Sequence, residues 1–239
     1  MHIDTEALQA SLDRLRLAPH EADLGRALQR VVTSMSQLFG YDGVGIMLID
    51  QSEQLGYVAA SDEVGRALEV AQASAEQGPC LDAYVNARPI NSKDVRSDAR
   101  WPKLADVLDD RVRAVAGAPL RLGGGPVGTV NVYRTQPAGW DDSDMAALQA
   151  FAELIEEIMT AELASQQHSE TASQLQYALN YRVIIERAIG FLMASHGVDA
   201  ITAFNRLRKQ ARDSRRRVAD LAAEVLGETS PPPSSPPPF

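Results

Sequence analysis

From Asp141 to Ser195 the chain runs for 55 residues with no proline and a single glycine, Gly190. Proline removes a helical hydrogen bond and glycine weakens a helix, so a stretch that avoids both has few ways out of the helical conformation. Asp141, directly after Trp140, is placed as an N-cap, with Asp144 three residues on in the reciprocal position. A long connecting helix follows, and it separates what precedes it from what comes after. Leu148, Phe151, Ile155 and Ile158 form an apolar stripe, but the same register then meets Glu162, Ser165 and Ser169. Two readings stay open: residues 145–159 pack on the preceding module, or they seed a dimeric coiled coil that continues through a helical linker at 161–178.

Upstream, the hydrophobic period changes several times. Leu24, Leu28, Val31, Val32, Met35 and Leu38 fall at spacings of three and four within 22–39, an amphipathic helix stopped by Gly40. Residues 44–50 and 54–61 are short β-rich runs separated by Gln51, Ser52 and Glu53, as in an antiparallel hairpin. Helical pieces interrupted by Gly78-Pro79 and by an extended Pro89–Ser92 fill 63–112; strands return at 114–122 and 127–135. The order predicts an α+β module over 22–160, an antiparallel sheet flanked by helices, preceded by a helical extension at 1–21.

Downstream, three helical segments at 179–196, 200–213 and 217–226 carry matching apolar faces. These are Ile184, Ala188, Phe191 and Leu192, then Ala203, Phe204, Leu207 and Ala211, then Val218, Leu221, Ala222 and Val225. They predict a three-helix module over 179–228. Beyond it, 229–239 holds six prolines among its last ten residues and predicts a disordered, solvated polyproline tail.

The sequence argues against several function classes. No run reaches the roughly 18 apolar residues that span a bilayer, and the start has no basic segment followed by an apolar one, so a cytoplasmic protein is expected. Cys80 is the only cysteine, and the four histidines lie far apart without an HxxxH pair, so neither a disulfide nor a metal site is expected. Gly123-Gly124-Gly125-Pro126-Val127-Gly128 satisfies GxGxxG, but it lies between two β-rich runs and holds a proline, which reads as a hairpin turn. With no nucleophile elbow and no Walker sequence, no enzyme signature emerges and no cofactor is expected.

Two clusters remain as candidates. Arg206, Arg208, Lys209, Arg212, Arg215, Arg216 and Arg217 place seven cations among twelve residues, and the chain from 180 onward carries +3 against −12 for the rest. Leu207 and Ala211 must face the core, so these cations project together, either as a solvated face or as contacts to successive phosphates. Tyr181 would add a stacking surface for an unpaired base. The second cluster, Cys80, Tyr84 and Trp101 around Gly78-Pro79, reads as a pocket lining for an unidentified small molecule; alternatively Cys80 is a redox sensor or simply a small buried residue.

Asn180-Tyr181-Arg182-Val183-Ile184-Ile185-Glu186-Arg187-Ala188-Ile189-Gly190-Phe191-Leu192-Met193, with Ala203-Phe204, Leu207-Arg208, Ala211-Arg212 and Val218-Ala219-Asp220-Leu221-Ala222, resembles the ANTAR domain. Gln77-Gly78-Pro79-Cys80-Leu81-Asp82-Ala83, Asp98-Ala99-Arg100-Trp101-Pro102, Ala118-Pro119-Leu120 and Gly128-Thr129-Val130-Asn131-Val132-Tyr133 resemble the GAF domains that precede ANTAR domains in actinobacterial regulators. The resemblance implies a dimeric regulator whose ANTAR units bind paired RNA stem-loops in nascent transcripts, keep a terminator from forming, and so act on the transcription machinery indirectly. A GAF sensor would take the place of a phosphoacceptor receiver. Where the family commonly has Ala-Lys-Gly this chain has Ala188-Ile189-Gly190, which shifts the expected RNA contacts to Tyr181, Arg182, Arg187, Arg208, Lys209, Arg212, Arg215, Arg216 and Arg217. Some GAF domains reduce free methionine sulfoxide with several cysteines; one cysteine does not supply a thiol relay. The remaining rivals are a helix-turn-helix reader of duplex DNA and a protein-interaction module whose arginines only solvate its surface.

Overall fold

The computed structural model describes residues 3–17, 23–50, 53–164 and 170–228. Five antiparallel strands form one sheet: β1 (Gly43–Ile49), β2 (Leu55–Ala60), β3 (Ile90–Ser92), β4 (Ala114–Leu122) and β5 (Gly125–Arg134), in the order β2-β1-β5-β4-β3. Both faces are covered, which is why β1 is an unbroken apolar run rather than an alternating one. Side chains alternate across a strand. Accordingly Ala116, Ala118, Leu120, Val130 and Val132 join the core formed with helices α1 (Thr5–Arg16), α2 (Leu24–Phe39) and α6 (Asp142–Ala164). On the other face, Val115 and Tyr133 pack with α3 (Glu63–Ala75) and α5 (Pro102–Val107), and Gly117 lies against Pro79 at the start of α4 (Pro79–Asn86).

Local chemistry sets the boundaries. Asp23 caps α2 by accepting from the Gly25 N–H at 3.1 Å, and Gly40 ends the helix at φ 59°. Gly123 and Gly124 both have positive φ, 58° and 91°, and turn β4 into β5, so the GxGxxG stretch is a hairpin turn that continues into β5. At the start of α6, Asp141 accepts from the Asp144 N–H at 2.9 Å, and Asp144 accepts from the Asp141 N–H at 3.2 Å. The stripe Leu148, Phe151 and Ile155 is buried in the core of the sheet module, with Ile158 packed against it.

The stretch that reads as one long helix is described as two, α6 and α7 (Glu170–His196). The Arg121 N–H donates to Glu156 on α6 at 2.7 Å, Arg121 pairs with Pro126 across the hairpin, and the Pro126 carbonyl accepts from Arg182 on α7 at 3.0 Å. In one straight helix residues 156 and 182 would be about 39 Å apart. These contacts do not permit that separation, so α7 returns along the sheet module. Leu175 and Ala178, within the expected linker, are buried in that module's core.

α7 then packs with α8 (Ala200–Ser214) and α9 (Val218–Leu226) around Tyr181, Ile185, Ala188, Leu207, Ala211, Val218 and Leu221. Asp199 caps α8 through the Thr202 N–H at 2.7 Å, and Gly227 closes α9 at φ 69°. Two expected core aromatics differ. Phe191 is half exposed, because the buried face of α7 follows Tyr181, Ile185, Ala188 and Leu192, about a quarter turn away. Phe204 is buried, but with the sheet module's core rather than the three-helix core. The expected proline-rich tail lies outside the described residues.

Candidate nucleic-acid interface and its seam with the sheet module

The nine candidate cationic and aromatic positions divide into two sets. Arg187, Lys209, Arg215 and Arg216 are exposed; Arg187 is paired with Glu228, Lys209 with Asp213 at 2.8 Å, and Arg216 with Glu224 at 2.5 Å. Exposed pairs of this kind are worth under about 1 kcal/mol and exchange readily for phosphate. Arg215 takes the left-handed φ of 54° that ends α8, and with exposed Arg206 it has no ion pair among the described residues. Arg217 stands over the Tyr181 ring, with its guanidinium 5.4 Å from the centroid, and pairs with Asp220 at 2.6 Å. Tyr181 is 2% exposed inside the three-helix core, so in this conformation it offers no open face for a base.

The other set meets the sheet module, with Arg208 buried, Arg182 partly buried and Arg212 exposed. Arg182, Arg208 and Arg212 face the sheet module along a seam built from α7 and α8 on one side and from α3, α4, the β4–β5 turn and Glu53 on the other. Arg212 pairs with Glu76 at 2.6 Å, and Arg208, 4% exposed, lies 3.8 Å from the same carboxylate. Arg182 donates to the Pro126 carbonyl and pairs with Glu186 on its own helix. Between them, the Tyr84 hydroxyl donates to Glu53 at 3.2 Å, and the Tyr84 and Phe204 rings meet at 5.7 Å with a 52° tilt. Burial pushes the Glu53 carboxyl up to about 8, although the Tyr84 hydrogen bond opposes the shift. It also raises the Tyr84 hydroxyl and lowers both Arg182 and Arg208 from the ordinary arginine value.

Ile189 lines the same seam with Ile49, Val85 and Ile185. The side chain that replaces the expected lysine is therefore an apolar contact with the sheet module. Glu53, Glu76, Phe204 and Ile189 are seam residues that sequence reasoning did not assign to a site. Glu53 lies in a polar hairpin segment, and nothing local announces that it will be 3% exposed with φ 53°.

Comparison with known families accounts for both modules. The GAF domain model matches residues 23–159 and the ANTAR domain model matches residues 173–226. The chain belongs to the GAF family and carries an ANTAR domain after the GAF domain. Among solved structures, the free methionine-R-sulfoxide reductase of Neisseria meningitidis, in complex with its substrate, is 18% identical; the match covers 69% of this chain and 98% of that one, with a TM-score of 0.53. The GAF domain of an Acinetobacter phosphoenolpyruvate-protein phosphotransferase is 13% identical, covering 67% and 94% with a TM-score of 0.52. A Staphylococcus aureus fRMsr, also complexed with substrate, is 16% identical, covering 66% and 98% with a TM-score of 0.52. At these identities the likeness is one of fold. No match is found among curated proteins.

Inside the GAF domain, the second candidate cluster is closed. Cys80 is 0% exposed, its N–H donates to the Gln72 side-chain oxygen at 2.9 Å, and its Sγ lies 3.8 Å from Glu69. Burial, reinforced by the Glu69 charge, pushes the thiol well up, which outweighs any help from the start of α4 and leaves it a poor thiolate. Glu69 accepts from the Asn131 amide at 2.9 Å, and burial raises its carboxyl to about 8. Space is scarce here: a Cβ on Gly45 would meet Glu69 at 2.2 Å, and one on Gly78 would meet Gln72 at 2.4 Å. Trp101, 2% exposed, donates its indole N–H to Asp82 at 3.1 Å beneath the Arg100 guanidinium. So Cys80 and Trp101 are buried in the α3–α4 layer of the GAF domain, whereas Tyr84 belongs to the seam with the ANTAR domain. None of the described helices is long and apolar enough to cross a membrane.

Proposed function

We propose that this GAF–ANTAR protein is a signal-responsive RNA-binding regulator without catalytic activity. As a homodimer it binds paired stem-loops in nascent transcripts and prevents a terminator from forming. The observation that carries this reading is the division of one basic surface. Arg206, Lys209, Arg215 and Arg216 stand in solvent on and after α8, while Arg208, from the same helix, is buried against the GAF domain and Arg212, itself exposed, is paired with Glu76 there. RNA affinity scales with the number of phosphates contacted, so a module docked this way has fewer cations to offer than an undocked one. The GAF domain then acts by changing how firmly it holds the ANTAR domain.

The test is the affinity of the full chain for a double-hairpin RNA and for matched duplex DNA at two salt concentrations. Arg215→Ala/Arg216→Ala/Arg217→Ala is measured in parallel. RNA-preferring binding whose log–log salt slope falls by about 2 in the variant is expected, from the loss of two to three phosphate contacts. Equal binding to duplex DNA, or binding indifferent to the three arginines, would leave the assignment without support.

A further inference from the structure

Glu53 belongs to the GAF domain, but much of what covers it comes from the ANTAR domain. It sits between β1 and β2, 3% exposed, and across the seam it shares a cavity with Ala178, Arg182, Ile185 and Ile189 on α7 and Phe204 on α8. That cavity holds about 30 Å³, room for about two waters, which is too little to hydrate a carboxylate. The Tyr84 hydroxyl on α4 donates to Glu53 at 3.2 Å. Two cations are near but committed elsewhere. Arg182 pairs with Glu186 and donates to the Pro126 carbonyl, and Arg208 lies beside Glu76, so Glu53 forms no ion pair among the described residues. Asp50 on its own hairpin and Glu186 on the cavity wall add like charge, and Glu76 is taken by Arg212. A carboxyl buried in this way is costly to keep ionised and tolerable when neutral, and burial outweighs the pull of Arg208 and Arg182.

We propose that the seam is a proton-dependent latch: the ANTAR domain docks on a neutral Glu53, and loss of that proton to solvent as pH rises releases it. The proposal rests on the docked and undocked forms described above and adds the signal that moves one to the other. When α7 and α8 part from the GAF domain, Glu53 meets water and its carboxyl returns from about 8 towards the ordinary 4.5. The docked form is then the one that holds the extra proton. Docking is accordingly strongest below pH 4.5, weakens as pH rises, by at most about tenfold per pH unit for a single proton, and levels off above pH 8.

Limited proteolysis between the two domains tests this in the full chain from pH 6 to pH 9, with energy transfer between labels on the GAF domain and α9 read in parallel. No RNA is present, so failure here is separable from failure of the RNA-binding reading. Each cutting rate is divided by that of Glu53→Gln at the same pH, which cancels the protease's own pH dependence; the glutamine keeps an acceptor for Tyr84 and stays neutral. The ratio is expected to rise at least about threefold per pH unit between pH 6 and pH 8 and then to flatten, with energy transfer falling over the same range. Glu69→Gln, inside the GAF domain and away from the seam, is expected to keep that rise. Glu76→Gln is expected to be cut faster at every pH and to keep it too. A ratio that is constant, with unchanged energy transfer, would mean that Glu53 is already ionised when docked. A ratio that falls would mean that ionised Glu53 draws Arg182 and Arg208 in, and a rise lost in Glu69→Gln would move the titration to the GAF interior; each of these three results overturns the proposal.

Discussion

Two buried glutamates connect the GAF interior to solution conditions. Glu53 and Glu69 are both pushed from the ordinary 4.5 to about 8 by burial. A carboxyl whose folded pKa is raised holds its proton more tightly in the native state, so its contribution is fully present below pH 4.5 and is lost as pH rises towards 8. Glu69→Gln keeps an oxygen for the Asn131 amide and removes the titration. Chemical unfolding should show wild type losing stability relative to the variant between pH 5 and pH 9, by an amount on the order of a few kcal/mol. A constant difference across that range would mean that Glu69 is ionised in the fold. These carboxylates were not legible in the sequence. Glu53 sits among polar hairpin residues and Glu69 within an ordinary amphipathic helix, and only packing from distant elements removes them from water.

At the level of elements, much could be read from period and punctuation, because helix ends, hairpin turns and core faces are decided by neighbours in sequence. Leu24, Leu28, Val31, Val32 and Met35 lie buried along α2 between Asp23 and Gly40, and the Gly123–Gly124 turn links two strands. What could not be read was where α7 goes after α6, since an apolar face does not name its partner. Leu175 and Ala178 pack on the GAF domain, Tyr181 and Ala188 on the same helix pack on α8 and α9, and Ile185 and Ile189 meet both. Phe204 shows the same limit, standing on an expected apolar stripe but meeting Tyr84 across the seam. Phe204→Ala should cost about 3 kcal/mol, at the lower end for a buried aromatic because the seam can relax by parting. Limited proteolysis would then cut between the two domains faster than in wild type while the GAF fragment persists. Loss of both fragments together would place Phe204 in the folding core of the whole chain instead.

For the whole molecule, the charged contacts that hold the ANTAR domain on the GAF domain come from few side chains. Glu76→Gln removes the shared carboxylate of Arg208 and Arg212, and it should raise affinity for the double-hairpin RNA several-fold while steepening its salt dependence. An unchanged slope would show that Arg212 is already available in wild type. Gly125 offers an independent route. A Cβ there would fall 1.5 Å from an Arg182 nitrogen, so Gly125→Ala should push that side chain off the Pro126 carbonyl and loosen the seam without touching a charge. Fluorescence energy transfer between labels on the GAF domain and α9 should report a longer separation, and an unaltered signal would mean that Arg182 finds another route.

The bare backbone at Gly125 also limits how freely these domains can be exchanged. A GAF domain from another regulator, with any side chain at that turn, would present a bump where Arg182 has to lie. Chimeras assembled from interchangeable parts would be born with a gap in this seam, and a hybrid that closes it would need the hairpin and the arginine transplanted as a matched pair.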